Sequence, residues 1–271
     1  MKQPTMTDTL YVAWRSGSSD SGRWGPIGRL DRLPDGYRFT YTRGAQTLPG
    51  FQGIAGMGDF GETYNSDSLP PFFVNRILDK RRPEFRKYLE WGGFDPGQPP
   101  EPIPLLAVTG GERFTDAFEV FPKPSPGPDG FFRCRFFLRG LRHLSPPIRD
   151  QLLRLEPRTP LALVQENLNP ADPFAIRVTL NTPGSSASLG HVPRYLALEF
   201  RSLLNACGGT IPTVSLVRVN SDAPWQFAVL CEFQTCWPNR HEPFENNPEF
   251  ASLARSIPAT RPQLPEEVVV A

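Results

Sequence analysis

The chain is poor in lysine, histidine and cysteine, and each shortage excludes something. Only four of its 29 basic residues are lysines. The three histidines, His143, His191 and His241, cannot build a three-histidine metal centre at any standard spacing. The cysteines, Cys134, Cys207, Cys231 and Cys236, include no C-x-x-C pair, so reduced thiols in the cytoplasm are expected rather than a zinc site. No apolar run approaches the ~18 residues of a membrane span, and the opening MKQPTMTDTL has no apolar signal core. Net charge is +1, so the chain as a whole has no strong attraction to nucleic acid or membrane. There is no internal repeat, and no cofactor is expected.

Arginine and proline are what the chain has in quantity. The 32 prolines argue for many turns and short elements. Hydrophobic residues make up 39% and charged residues 21%, as in a soluble globular protein. Charge is unevenly spread. Residues 133–240 hold 12 arginines, no lysine and seven acidic residues, a surplus of five positive charges. Arginine suits bidentate phosphate contact and stacking on bases. An arginine-for-lysine bias can equally reflect genome composition, and charge alone does not choose between these readings.

Pro/Gly-rich stretches divide the chain. Residues 95–104 read as a loop, and PKPSPGPDG at 122–130 reads as a connection with no apolar face. The expected organisation is a module at 1–124, a linker at 125–130, a second module at 131–240 and a partly disordered tail at 241–271. In the first module, strands are expected at Leu10–Trp14, Pro26–Leu30, Tyr37–Tyr41, Leu105–Val108 and Phe118–Phe121. Two short helices are expected there, over Phe72–Leu78 and from Pro83. In the second module, strands are expected at Phe131–Leu138, Leu161–Gln165, Ala175–Leu180, Leu189–Val192, Thr213–Val219 and Phe227–Phe233. A turn at Pro183-Gly184 joins two of them. One helix follows a Ser145 cap. Another runs from Arg194 to Ala206, its stripe at Tyr195, Leu198, Leu203 and Ala206, and Gly208-Gly209 ends it. The class is α+β, mostly β, with a small closed barrel in the second half.

Several motifs fail on context. Gly56-Met57-Gly58-Asp59-Phe60-Gly61 matches G-x-G-x-x-G, but a dinucleotide site needs a strand before it and a helix after. Loop is expected on both sides, including Glu62–Ser66. Asp59-Phe60-Gly61 also spells a kinase metal-binding tripeptide, without the upstream H-R-D-like sequence a kinase requires. There is no G-x-S-x-G elbow. The expectation is a non-enzymatic protein.

Three blocks in the second half carry a resemblance. They are Gly140-Leu141-Arg142-His143, then Leu163-Val164-Gln165-Glu166-Asn167-Leu168-Asn169-Pro170-Ala171-Asp172 followed by Ala175-Ile176-Arg177-Val178, then Leu189-Gly190-His191-Val192-Pro193-Arg194. In this order and spacing, residues 133–237 resemble the HIRAN domain. The resemblance implies an OB-like β-barrel with two helices that binds single-stranded DNA and holds a free 3′-hydroxyl end. It implies that Asp172 accepts a hydrogen bond from that hydroxyl and that Asn169 holds the same pocket. It further implies that Arg142, His191 and Arg194 meet phosphates or base edges and that Trp225 stacks on a base, with His143 a further nucleic-acid-binding candidate. A carboxylate accepts from a hydroxyl but repels a 3′-phosphate, which makes it an end selector. Asn169-Pro170-x-Asp172 is also good turn chemistry, and both roles stay open. Ala171 and His143 stand where the family often carries aromatics, so one or two stacking platforms are lost or weakened.

Residues 10–121 resemble the N-terminal subdomain of HipA-type toxin kinases. The matching pieces are Ile27–Leu30, Tyr37–Tyr41, Phe72-Phe73-x-Asn75-Arg76-Ile77-Leu78 and Leu105 to Gly111. The kinase core is absent, so the resemblance implies protein interaction rather than phosphoryl transfer. The expected partner is therefore nucleic acid, single-stranded DNA or DNA ends, with a protein such as a kinase or helicase as a second partner. The alternative function is an antitoxin-like regulator of a HipA-type kinase.

Overall fold

The computed structural model describes residues 8–17, 22–113, 115–170, 172–181, 187–206 and 211–255. The first module contains β1 (Thr9–Arg15), β2 (Trp24–Leu33), β3 (Gly36–Tyr41), α1 (Gly44–Thr47), β4 (Thr63–Ser66), α2 (Pro71–Val74), α3 (Phe85–Trp91), α4 (Pro102–Thr109) and β5 (Phe118–Pro122). Its strands form an antiparallel sheet in the order β4-β3-β2-β1-β5. The second module contains β6 (Phe131–Phe137), α5 (Pro146–Leu153), β7 (Pro160–Gln165), β8 (Ile176–Leu180), β9 (Ser188–His191), α6 (Arg194–Ala206), β10 (Thr213–Val219) and β11 (Val229–Cys236). Its sheet runs β6-β11-β10-β7-β8-β9.

That second sheet curls until its two edges meet. Just past β6, Arg139 N–H donates to His191 C=O, and His191 N–H donates to Arg139 C=O, both at 2.9 Å. Among the described residues this reciprocal pair joins the edges, so the barrel is a curled sheet rather than one closed by a full strand ladder. Gly190 makes the approach feasible. Its φ is +141°, and a Cβ there would lie 2.8 Å from the Arg139 carbonyl oxygen.

The apolar run Leu10–Ala13 explains how the modules meet. A strand buried on both faces reads as continuous hydrophobicity rather than alternation. Leu10 and Val12 enter the core of the first module, with Phe39, Tyr41, Phe73 and Leu106. Tyr11 and Ala13, on the other face, enter the core of the second, with Phe136, Phe200 and Phe233. On β5, Val120 and Phe121 divide in the same way. The two modules therefore share a wall.

The connection and tail also contribute contacts. Within the expected linker, Gly130 C=O accepts from Trp237 N–H and Gly127 N–H donates to Phe131 C=O. Residues 241–255 form a strap across both modules. Phe244 and Phe250 stack with centroids 3.9 Å apart and meet Tyr11 edge-on. Ser252 bridges Thr42, and Leu253 N–H donates to Tyr41 C=O. The rest of the expected tail, 256–271, lies outside the described residues, as do Pro183-Gly184 and Gly208-Gly209.

Several expectations need correction. Leu105–Val108 is not a strand but the body of α4. Pro102 starts that helix, and Gly110, with φ +71°, ends it. Its apolar run is buried almost all round, so periodicity could not separate helix from strand. Among its described residues the first module has four helical segments rather than two, because α1 and α4 were not anticipated as helices. Residues 63–66 are not loop but β4, paired to β3. Ser145 stands at the N-cap of α5, yet its side chain makes no cap hydrogen bond. The fully buried stripe of α6 is Leu196, Ala197, Phe200 and Leu203, not the one centred on Tyr195 and Leu198. Those two side chains are half-buried along the seam, with Tyr195 stacked on Phe121.

Gly190→Ala is expected to lower stability by roughly 1–3 kcal/mol, through strain at positive φ and a clash at the closing pair. Denaturant unfolding checks this. An unchanged midpoint would show that the edges do not need this approach.

Candidate nucleic-acid interface

The site grows from the point where the barrel closes. Beyond Arg139 the chain reverses at Gly140, in the left-handed region at φ +81°, and enters a 3₁₀ turn, Leu141–His143. Leu141 is buried and anchors the turn, while Arg142 and His143 are exposed. On the facing edge, β9 ends at His191, and Pro193 leads into α6 at Arg194. The loop after β7 brings Asn169 and Asp172. A second 3₁₀ turn, Trp225–Phe227, brings Trp225, which is 45% exposed.

All seven anticipated residues, Arg142, His143, Asn169, Asp172, His191, Arg194 and Trp225, border one cleft of about 660 Å³. The opposite wall comes from the first module and includes Arg15, Trp24, Glu112 and Asp116. These four were not anticipated as site residues. No sequence signal marks them, because they approach the cleft only once the modules dock.

The loop carrying Asn169 and Asp172 holds its shape through its own side chains. Asn169 Nδ2 donates to Glu166 Oε2 at 2.8 Å. Asn169 Oδ1 accepts from Asp172 N–H, and Asp172 Oδ1 accepts from Phe174 N–H at 2.9 Å. These are Asx-type turn bonds. The turn role and the place in the cleft therefore coexist. Asp172 Oδ2 lies 4.0 Å from Arg194 Nε, so the carboxylate has a cation beside it.

Glu166 joins the loop to the barrel. Its carboxylate lies 3.2 Å from His191 Nε2 and 3.1 Å from Arg177 Nε. Burial works against its charge, but the hydrogen bonds from Asn169 and His191 and the charges of His191 and Arg177 outweigh burial. The carboxyl is held below its usual range. At the other end, Arg142 Nε donates to His143 Nε2 at 3.1 Å, and the Arg149 guanidinium lies 4.9 Å from the Trp225 ring centroid.

In the cleft wall, a partly buried ionic cluster links the modules. Arg139 pairs with Glu119 on β5 and, at 2.8 Å, with Glu112. Tyr195 donates to Glu119 Oε2 at 2.7 Å. Desolvation works against the Arg139 charge, but Glu119, Tyr195 and Glu112 outweigh it and hold the guanidinium well above its ordinary value. Burial also pushes the Glu119 carboxyl up against the pull of Arg139. Asp116 is engaged by Arg76, whose side chain is 2% exposed, at 2.8 Å. Much of the acidity on this wall is thus neutralised internally.

The G-x-G-x-x-G segment lies elsewhere. It leads into strand β4 rather than a helix, and Arg255 pairs with Asp59 and Glu62 there. The Cys134 and Cys231 thiols are buried, and burial pushes Cys134 up to about 12. Cys207 lies outside the described residues. Among the described residues, no group of three His, Cys, Asp or Glu side chains is arranged to hold a metal ion, and no helix is long and apolar enough to cross a membrane.

The second sheet is curled and antiparallel in every described pairing, and arginine, imidazole, amide, carboxylate and indole groups that it carries border the cleft. The HIRAN domain model matches residues 131–234, and that match supports a nucleic-acid partner for this part of the chain. The matched segment does not include the first module. No curated protein and no solved structure matches the chain.

Two expected outcomes follow. Arg139→Ala should cost roughly 2–4 kcal/mol, because it leaves buried Glu119 without its cation while Arg139 itself is partly exposed. A loss below about 0.5 kcal/mol in denaturant unfolding would contradict the link. The Glu166 contribution should be full above its unfolded-state value of about 4.3 and disappear as pH falls through the lower folded value. The difference in Tm between wild type and Glu166→Gln should therefore shrink below about pH 4. A constant difference across that range would refute the assigned ionisation.

Proposed function

We propose that the protein is a non-catalytic DNA-binding accessory protein that takes a single strand or a 3′ end into the cleft between its modules. One observation carries this reading: the seven side chains contributed by separate segments of the HIRAN-matching half converge on one open cleft. Its volume lies within the range of about 300–1,000 Å³ usual for ligand pockets. Arg142 and Arg194 offer guanidinium groups for phosphates, and binding through them releases counterions. Trp225 offers an exposed indole for a base. Asp172 is the hydroxyl acceptor, and Arg194 beside it keeps the carboxylate compatible with a nearby phosphate.

The kinase-regulator alternative rests on the resemblance of the first module alone. The cleft geometry does not draw on it.

Fluorescence anisotropy with oligonucleotides ending in 3′-hydroxyl or 3′-phosphate, at two salt concentrations, tests the proposal. Binding should weaken with salt, Arg142→Ala should reduce the salt slope by about one, and the hydroxyl end should be preferred. Asp172→Ala should abolish that preference. Absence of salt-dependent binding to either end defeats the reading.

A further inference from the structure

Two tryptophans line the cleft, and they come from different modules: Trp225 from the HIRAN-matching segment and Trp24 from β2. Trp24 also lines a second cleft, of about 760 Å³, which shares Asp172, Arg194 and Tyr195 with the first. Trp24 is half-buried, with its ring centroid 6.2 Å from that of Tyr195. Directly across the β1–β2 ladder stands Arg15, whose guanidinium carbon lies 5.7 Å from the Trp24 centroid. Both residues sit at strand ends. Arg15 N–H donates to Ala117 C=O, which fixes the end of β1 against the chain entering β5. The pair is thus carried on rigid backbone, the condition for a preorganised site. Facing it across the cleft mouth is Arg194, whose Nη1 also reaches Gly22 C=O at 3.5 Å.

An indole beside a guanidinium is a pairing suited to a base and its phosphate. We propose that the first module is part of the nucleic-acid site: Trp24 stacks on a base and Arg15 meets a phosphate of a strand leaving the HIRAN-side pocket. The ligand is then a single strand several nucleotides long, read by both modules, rather than a terminal nucleotide alone. The second cleft is the path by which that strand departs, past Phe174 and Arg23. This inference rests on the function proposed above.

Anisotropy with the full chain separates the two claims. The probes are an oligothymidine trinucleotide and decanucleotide, each with a 3′-hydroxyl. Wild type should bind the decanucleotide more tightly. Trp24→Ala should weaken decanucleotide binding about 5- to 150-fold and trinucleotide binding much less, and Arg15→Gln should lower the salt dependence chiefly for the longer probe. Trp24→Phe keeps an aromatic face and should retain most of the affinity. The wild-type minus Trp24→Phe emission should be quenched by the decanucleotide. If Trp24→Ala binds both probes as wild type does, or weakens both equally, the two-module site is wrong while the cleft reading stands. If wild type binds neither probe, the cleft reading itself fails.

Discussion

Arg139 is the residue on which the rest depends. Its backbone makes the reciprocal pair that brings the two edges of the curled sheet together. Its side chain crosses to Glu119 and Glu112 in the other module. Glu119 is the buried member, and a buried carboxylate is tolerated only with its cation in place; here that cation comes from the other module. One residue therefore couples closure of the barrel to the orientation of the modules. Arg139, Glu112 and Glu119 all border the cleft, so the coupling forms part of its wall.

The shared wall of β1 and β5 works in the same direction. Leu10 and Val12 fill one core while Tyr11 and Ala13 fill the other. The strap from 241 to 255 closes the seam from outside, with Phe244 and Phe250 against Tyr11. Arg139, Glu119 and Tyr195 then satisfy the polar groups left between. This arrangement leaves the arginines nearest the cleft mouth in a different position from Arg139. Arg139 is absorbed by carboxylates, whereas Arg142 and Arg194 stand at the surface of the cleft with imidazole and carboxylate neighbours.

Much of the second half was legible in the sequence because its signals are local. Alternating strands, the Arg194–Ala206 helix and the Asn169-Pro170-x-Asp172 turn are each written in adjacent residues, and the three blocks lie in order along one barrel. The segment Leu105–Val108 was misread because an apolar run buried on every side has no period to betray it, although Pro102 and Gly110 marked its ends. The strand at 63–66 was missed because it is short and polar, and its pairing with β3 is what defines it. Arg15, Trp24 and Glu112 could not be found from local pattern. They become neighbours of the cleft only through the docking of two sheets whose contacts are distant in sequence.

The central claim is that a polynucleotide end sits in the cleft bordered by Arg139. Ultraviolet cross-linking of an oligonucleotide with a photoreactive base at its 3′ terminus, followed by peptide mapping, tests it most directly. The account predicts adducts within 139–143, 166–175 and 191–195. Adducts confined to faces of the protein away from these segments would contradict it.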